Sequence, residues 1–195
     1  MRIEYRGIVT DEREKKQIWD ILCECDREFY PPLSARNSSV QKDLRTENPS
    51  EEDRTVTPTV YFDEMIQQYF ILAFDDKGEM TGYMTFKKDY ICDALQSFGK
   101  SLYITTICVR KDYRRQHVMN SLYDCMESEV TKVCGCPRIS TRTWSENDAH
   151  MHGLAQRGIS FYADWRMTEA RELIQYITAG RYEKIIFSGS DMLLI

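Results

Sequence analysis

The sequence predicts an α/β fold, a mixed central sheet flanked by helices, and three observations carry that prediction. Segments with the two-residue period of strands alternate along the chain with segments of helical period. Two strand-like runs, Tyr69 to Phe74 and Met80 to Phe86, are joined by Asp75-Asp76-Lys77-Gly78-Glu79, a hairpin by composition and spacing. The run Leu102 to Val109 carries apolar, aromatic and β-branched residues on both faces, as a strand covered on both sides does. A basic turn and a long amphipathic segment follow it without a spacer, which puts the centre of the sheet there.

In chain order, Ile3 and Tyr5 alternate with charged neighbours in a short first strand over residues 2–6. Thr10 or Asp11 can cap the next helix, whose stripe is Ile18, Ile21, Leu22, Cys25 and Phe29, and Pro31-Pro32 ends it. From Ser34 to Thr57 apolar residues nearly vanish, so this is a loop, either a connector or a lid over a site. Thr57 precedes a first-turn proline, and Val60 to Gln68 follows as a short helix. After the hairpin, Ile91 to Lys100 is a connection without an assignable element. In the central strand Leu102, Ile104, Thr106 and Cys108 face one way and Tyr103, Thr105, Ile107 and Val109 the other. From Val118 the period becomes helical, with Val118, Leu122, Cys125, Met126, Val130 and Val133 on one stripe, until Gly135 and Pro137 stop it. Arg138 to Trp144 is a further strand. Ser145 then caps a helix from Glu146 to about Arg157, with Asp148 completing an approximate capping box and Gly158 as its stop. Ile159 to Arg166 reads as strand, Thr168 to Ile177 as helix, and Lys184 to Ile195 as one bent strand or two short ones. There are no internal repeats.

At 195 residues the chain suits one domain, 1–195, with a substantial core. No apolar run approaches the roughly 20 residues that span a bilayer, and the start Met-Arg-Ile-Glu-Tyr-Arg-Gly lacks the apolar core of a signal peptide. An intracellular, cytoplasmic location is therefore expected, without membrane partners. The seven cysteines fit it: Cys23, Cys92, Cys108 and Cys125 lie in apolar patterns and are expected to be buried and reduced. A net charge of −5 argues against nucleic acid as a partner and suits a cationic or amine substrate.

Between the central strand and its helix lies Arg110-Lys111-Asp112-Tyr113-Arg114-Arg115-Gln116-His117. A helix N-terminus presents unpaired N–H groups and about half a positive charge, so one set among cationic side chains can hold phosphate or pyrophosphate. The plainer reading is an exposed basic connector. Cys134-Gly135-Cys136 and His150-Met151-His152 suggest zinc, but residues two apart on a helix project roughly 200° apart, so both histidines cannot ligate one ion and no metal is expected.

The element order and two local patterns resemble the GNAT superfamily of acyl-CoA-dependent N-acetyltransferases. Of the family's V-x-P-x-Y-R, this chain has Val109, Tyr113 and Arg114; the pyrophosphate motif Q/R-x-x-G-x-G/A falls on Arg114 to Met119, with His117 and Met119 at the glycine positions. Helical φ/ψ does not require glycine, so these changes are expected to keep the turn. Of the downstream N-x-x-A-x-x-x-Y-x-x-x-G-F, Asn147 and Gly158 are kept, while His150, Leu154 and Ile159 stand at the other three positions.

The resemblance implies the GNAT-like fold, acetyl-CoA as co-substrate, and entry of acetyl-CoA where the central strand and the strand around Thr141 splay apart. Main-chain groups near Ile107 and Val109 would bind the pantetheine and acyl carbonyl. Arg114 and the segment Arg115, Gln116, His117, Val118, Met119 and Asn120 would bind the diphosphate, with a side-chain contact from His117, and Asn147 would touch the pantetheine arm. A small-molecule or peptide amine would arrive over the Ser34 to Thr57 loop and attack the thioester directly. The tyrosine that often protonates the departing thiolate is Leu154 here; Tyr162 is the candidate acid in its place, or the thiolate leaves unaided, since thiols ionise at about pH 8.5. A homodimer stays open as an assembly. Because both glycine positions and the tyrosine position depart together, the alternative is a CoA-binding or partner-binding GNAT-like domain without turnover.

Overall fold

The computed structural model describes residues 1–29, 32–35, 57–91, 99–144, 148–157 and 172–178. Its elements are β1 (Arg2–Ile8), α1 (Glu12–Cys25), α2 (Thr59–Met65), β2 (Tyr69–Phe74), β3 (Met80–Tyr90), β4 (Ser101–Val109), α3 (Val118–Cys125), α4 (Thr131–Cys134), β5 (Arg138–Trp144), α5 (Asp148–Gln156) and β6 (Glu172–Thr178). The six strands lie in sequential order in one sheet. β1 and β3 each run antiparallel to β2, β5 runs parallel to β4, and β6 runs antiparallel to β5, so the sheet is mixed, as the sequence predicts.

Local chemistry accounts for most boundaries. The Asp11 carboxylate accepts the N–H groups of Arg13 and Glu14 and so caps α1. Ile18, Ile21, Leu22 and Cys25 are buried, whereas Phe29 leaves the helix through a 3₁₀ turn at Asp26–Glu28 and still packs against the core. Thr57 does not cap α2: its hydroxyl engages that of Thr59 at 3.0 Å, and Pro58 holds the capping position without a side-chain bond. In the hairpin, Asp75 Oδ1 accepts the N–H groups of Lys77 and Glu79, both at 2.9 Å. The segment after β4 runs from α3 through a π turn at Met126–Val130 into α4. It stops at left-handed Gly135 (φ 62°), whose N–H reaches the Lys132 carbonyl. Val133, assigned to the apolar stripe, is 69% exposed in that last turn.

The helix expected near the C-terminal end of the chain is overturned. Residues 172–177, read as part of a helix, belong to β6, which pairs with β5 from Trp144↔Glu172 to Arg138↔Thr178. Leu173, Ile174, Tyr176, Ile177 and Thr178 are β-branched, aromatic or aliphatic, and the edge of β5 offers their backbone a ladder, so tertiary pairing outweighs the local period. The Ser145 cap, the Gly158 stop, most of the 34–57 loop and the strands expected at 159–166 and 184–195 lie outside the described residues.

The chain divides into two compact units, Met1–Phe86 with Thr105–Cys125, and Lys87–Ile104 with Met126–Ile195. The first is built round Ile18, Ile21, Leu22, Leu33, Tyr61, Met65, Phe70, Leu72, Tyr83 and Cys108. In the second, Leu102, Ile104, Met126, Val130, Ile139 and Leu154 are buried, the hydroxyls of Ser101 and Ser140 meet at 2.7 Å, and Arg157 pairs with Glu127. Cys25, Cys108 and Cys125 are buried and not disulfide-bonded; Cys23 is only part-buried, off the stripe of α1. No helix among the described residues is long and apolar enough to cross a membrane.

Candidate functional site

The site is built on the C-terminal end of β4 and the turn after it, all within the first unit. Buried hydroxyls fix the middle of the strand: Thr106 meets Tyr61 at 2.5 Å, and Thr105 meets Thr85 at 2.6 Å and donates its hydroxyl to the Gln68 amide oxygen. Ile107 and Val109 are part-buried where the rest of β4 is buried.

Four anchors then hold the basic turn. Arg110 donates its N–H to the Thr81 carbonyl and its Nε to the Met80 carbonyl, both at 2.9 Å, and its Nη1 lies 3.5 Å from Glu24. Glu24 also accepts the Lys111 N–H at 2.6 Å. The Tyr113 hydroxyl donates to Asp75 at 2.8 Å, which lowers the carboxyl pKa of Asp75 and raises the phenol's. Arg114 grips Glu28 with its two terminal guanidinium nitrogens, Nη1 and Nη2, at 2.9 and 2.6 Å, and donates Nε to the Val109 carbonyl at 3.2 Å; Glu28 in turn raises the arginine's pKa.

Beyond Arg114 the backbone turns left-handed twice, at Arg115 (φ 60°) and His117 (φ 61°), and only then enters α3. This corrects the expectation that helical φ/ψ would serve at position 117. A side chain in this region costs roughly 1–2 kcal/mol per residue, less for histidine than for most. Neighbouring groups hold the strained segment: Gln116 Nε2 reaches the Asp112 carbonyl at 2.7 Å, and Ser121 donates both N–H (2.9 Å) and hydroxyl (3.1 Å) to the His117 carbonyl. Left-handed residues leading into a helix make a concave array of N–H groups, and the first turn of a helix supplies no acceptors for its own N–H groups. The combination suits an anion such as a diphosphate. His117→Gly is therefore expected to raise stability by roughly 0.5–1 kcal/mol, the relieved strain less the entropy that glycine adds to the unfolded chain. Urea denaturation checks this, and a loss of stability would refute the strain argument.

Ile107, Val109 and the run from Arg114 to Asn120 thus come together, while Asn147 and Tyr162 lie outside the described residues. Arg114, expected on the diphosphate, is turned to Glu28 and the Val109 carbonyl, because a carboxylate and a carbonyl within reach satisfy its fork of donors. Arg115, exposed, has no ion-pair partner among the described residues. Sequence reasoning missed Glu24, Glu28, Asp75 and Ser121. Their one signal was the spacing of two carboxylates, Glu24 and Glu28, one turn apart.

In the second unit Leu154 is fully buried, so the family's tyrosine position is filled by core packing. His152 bonds Gln156 at 2.8 Å, and burial pushes the pKa of His150 down to about 4. Because this folded value lies below the ordinary 6.5, stability is complete above about pH 6.5 and is lost as pH falls towards 4. From pH 7 to 5 the loss is at most about 2 kcal/mol by linkage. Denaturation curves of the wild type and His150→Gln at both pH values should differ by that slope; parallel curves would exclude the neutral, part-buried histidine.

The sequence model of the acetyltransferase (GNAT) family matches residues 17–161, more than half of the chain. No curated protein matches it in sequence. Among solved structures, a GNAT-family acetyltransferase from Staphylococcus aureus superposes with a TM-score of 0.55 at 12% identity, covering 91% of this chain and 99% of that one. A Salmonella typhimurium protein described as an acetyltransferase, solved with acetyl-CoA, gives 0.57 at 13% identity, covering 93% and 96%. A chain of the NatC complex bound to Gag peptide and CoA gives 0.55 at 14%, covering 91% and 99%. At such identities the likeness carries the fold.

Proposed function

The chain belongs to the GNAT family of acetyltransferases, and from that premise we propose that it is one domain, 1–195, that transfers the acetyl group of acetyl-CoA to an amine. The observation that carries this reading is the cradle itself: left-handed Arg115 and His117 ahead of α3, with Arg115 as its exposed cation. The cradle fits a diphosphate although both glycines are replaced, because Ser121 holds the His117 carbonyl and the backbone keeps the left-handed turn that glycine would favour. N–H groups of Arg115 to Asn120 and the Arg115 guanidinium hold the diphosphate, main-chain groups of Ile107 and Val109 hold the pantetheine and polarise the acyl carbonyl, and Asn147 steadies the pantetheine arm.

The acceptor attacks as the neutral amine, a bond forms from nitrogen to the acyl carbon, the C–S bond breaks so that the CoA thiolate departs without a covalent cysteine intermediate, and the nitrogen sheds one proton to solvent to leave the amide. Tyr162 protonates that thiolate, or it leaves unaided. The acceptor is a small molecule or a peptide N-terminus or side chain, the peptide class being supported by the Gag-bound NatC relative in fold. We place this activity in the cytoplasm.

Leu154, buried and aliphatic, favours one second reading, a CoA-binding domain without turnover. Free-thiol release from acetyl-CoA with a broad panel of amines and peptides, beside calorimetric binding of CoA, separates the two. Release with an acetylated product establishes the enzyme; binding without release across the panel establishes the second reading; no binding overturns both.

A further inference from the structure

We propose that Glu28 is a positioning residue for the diphosphate cradle, acting through Arg114 to hold Arg115 and His117 left-handed where the cradle lacks glycine. This rests on the acetyl-CoA reading above. The chain must keep two non-glycine residues out of three at positive φ, and such a conformation persists only where its surroundings over-determine it. On the C-terminal side Ser121 does this, with two bonds to the His117 carbonyl. On the N-terminal side the corresponding hold is Arg114, the residue directly before the first left-handed one. Its guanidinium meets both Glu28 oxygens (2.9 and 2.6 Å) and the Val109 carbonyl (3.2 Å) and touches Cys25 Sγ at 3.8 Å.

An isolated surface pair, with side chains 35% and 41% exposed, would contribute little. This pair is not isolated, since the planar fork ties three separate pieces of chain at fixed angles: the tail beyond α1, the last residue of β4 and the start of the cradle. Lys111 Nζ adds a second cation 3.9 Å from Glu28. Position 114, which carries the arginine of the motif, is thereby given to shape, and the charge that meets phosphate comes from Arg115.

The sign of the effect separates this role from simple electrostatics. Removing a carboxylate beside an anion site should tighten CoA binding if only charge matters. If Glu28 holds the cradle, Glu28→Gln, a near-isosteric change at an exposed position, should instead weaken CoA binding about tenfold while the melting temperature stays within a few degrees. Glycine adopts the left-handed region without help, so His117→Gly in the Glu28→Gln background should bring CoA affinity back to within about threefold of wild type. Calorimetric titration of CoA into wild type, both single variants and the double variant measures this. Unchanged or tighter binding by Glu28→Gln, or a loss that His117→Gly leaves in full, overturns the clamp. A wild-type chain that does not bind CoA overturns the acetyl-CoA reading and the clamp with it, which is distinguishable from failure of the clamp alone.

Discussion

Gly82→Ala is expected to destabilise the protein by about 1–3 kcal/mol, the usual cost of forcing extra volume into a packed interior. A Cβ on Gly82 would stand 2.7 Å from the Cys108 carbonyl oxygen and 3.3 Å from both Cα and Cγ2 of Val109. The first of these contacts is far inside van der Waals distance, and its partner is backbone, which cannot turn aside as a flexible side chain would. Either β3 or the end of β4 has to move. Since Cys108 and Val109 lead directly into the basic turn, and Val109 accepts the Arg114 bond, the same substitution should weaken CoA binding. Urea denaturation together with calorimetry tests both consequences, and wild-type stability in the variant would show that the two strands do not approach so closely.

Arg115→Ala should weaken CoA binding at least tenfold, because a charge-assisted hydrogen bond contributes roughly 1.5–3 kcal/mol. With Arg110, Lys111 and Arg114 engaged by Glu24 and Glu28, the alanine variant would lose the one exposed arginine of the cradle that has no ion-pair partner among the described residues. Adding salt should cost the wild type more affinity than the variant, since screening acts on the charge the variant lacks. Equal affinities at low salt would remove Arg115 from the site. The pair of outcomes also distinguishes Arg115 from Arg114, whose removal acts through the shape of the turn.

Chain-local physics made much of the fold legible. The hairpin at Asp75–Glu79 needs residues whose side chains bond their own turn, and the Asp75 carboxylate does so. The β4 strand, α1 and its Asp11 cap, β5 and the left-handed stop at Gly135 follow from period and composition within a few residues. The strand, basic turn and helix start on which the proposed anion site lies were legible for the same reason, as they are consecutive in the chain. β6 was not, because Glu172–Thr178 carries an ambiguous local pattern and the deciding ladder lies more than 25 residues away on β5.

The sequence by itself therefore determined the order of elements from β1 to α5, the mixed sheet and the strand, basic turn and helix start on which the proposed cradle lies, since periodicity, caps and turns act over a few residues. Tertiary structure alone decided what the cradle's side chains do. Whether Arg114 faces a phosphate or a carboxylate depends on Glu28, 86 residues away, and whether position 117 is helical or left-handed depends on bonds to Ser121 and on where α3 begins. Glu24 and Glu28 look like ordinary exposed helix charges until the fold brings β4 beside the end of α1. A guanidinium donates to whichever acceptor lies within about 3 Å, and only the folded chain fixes which one that is.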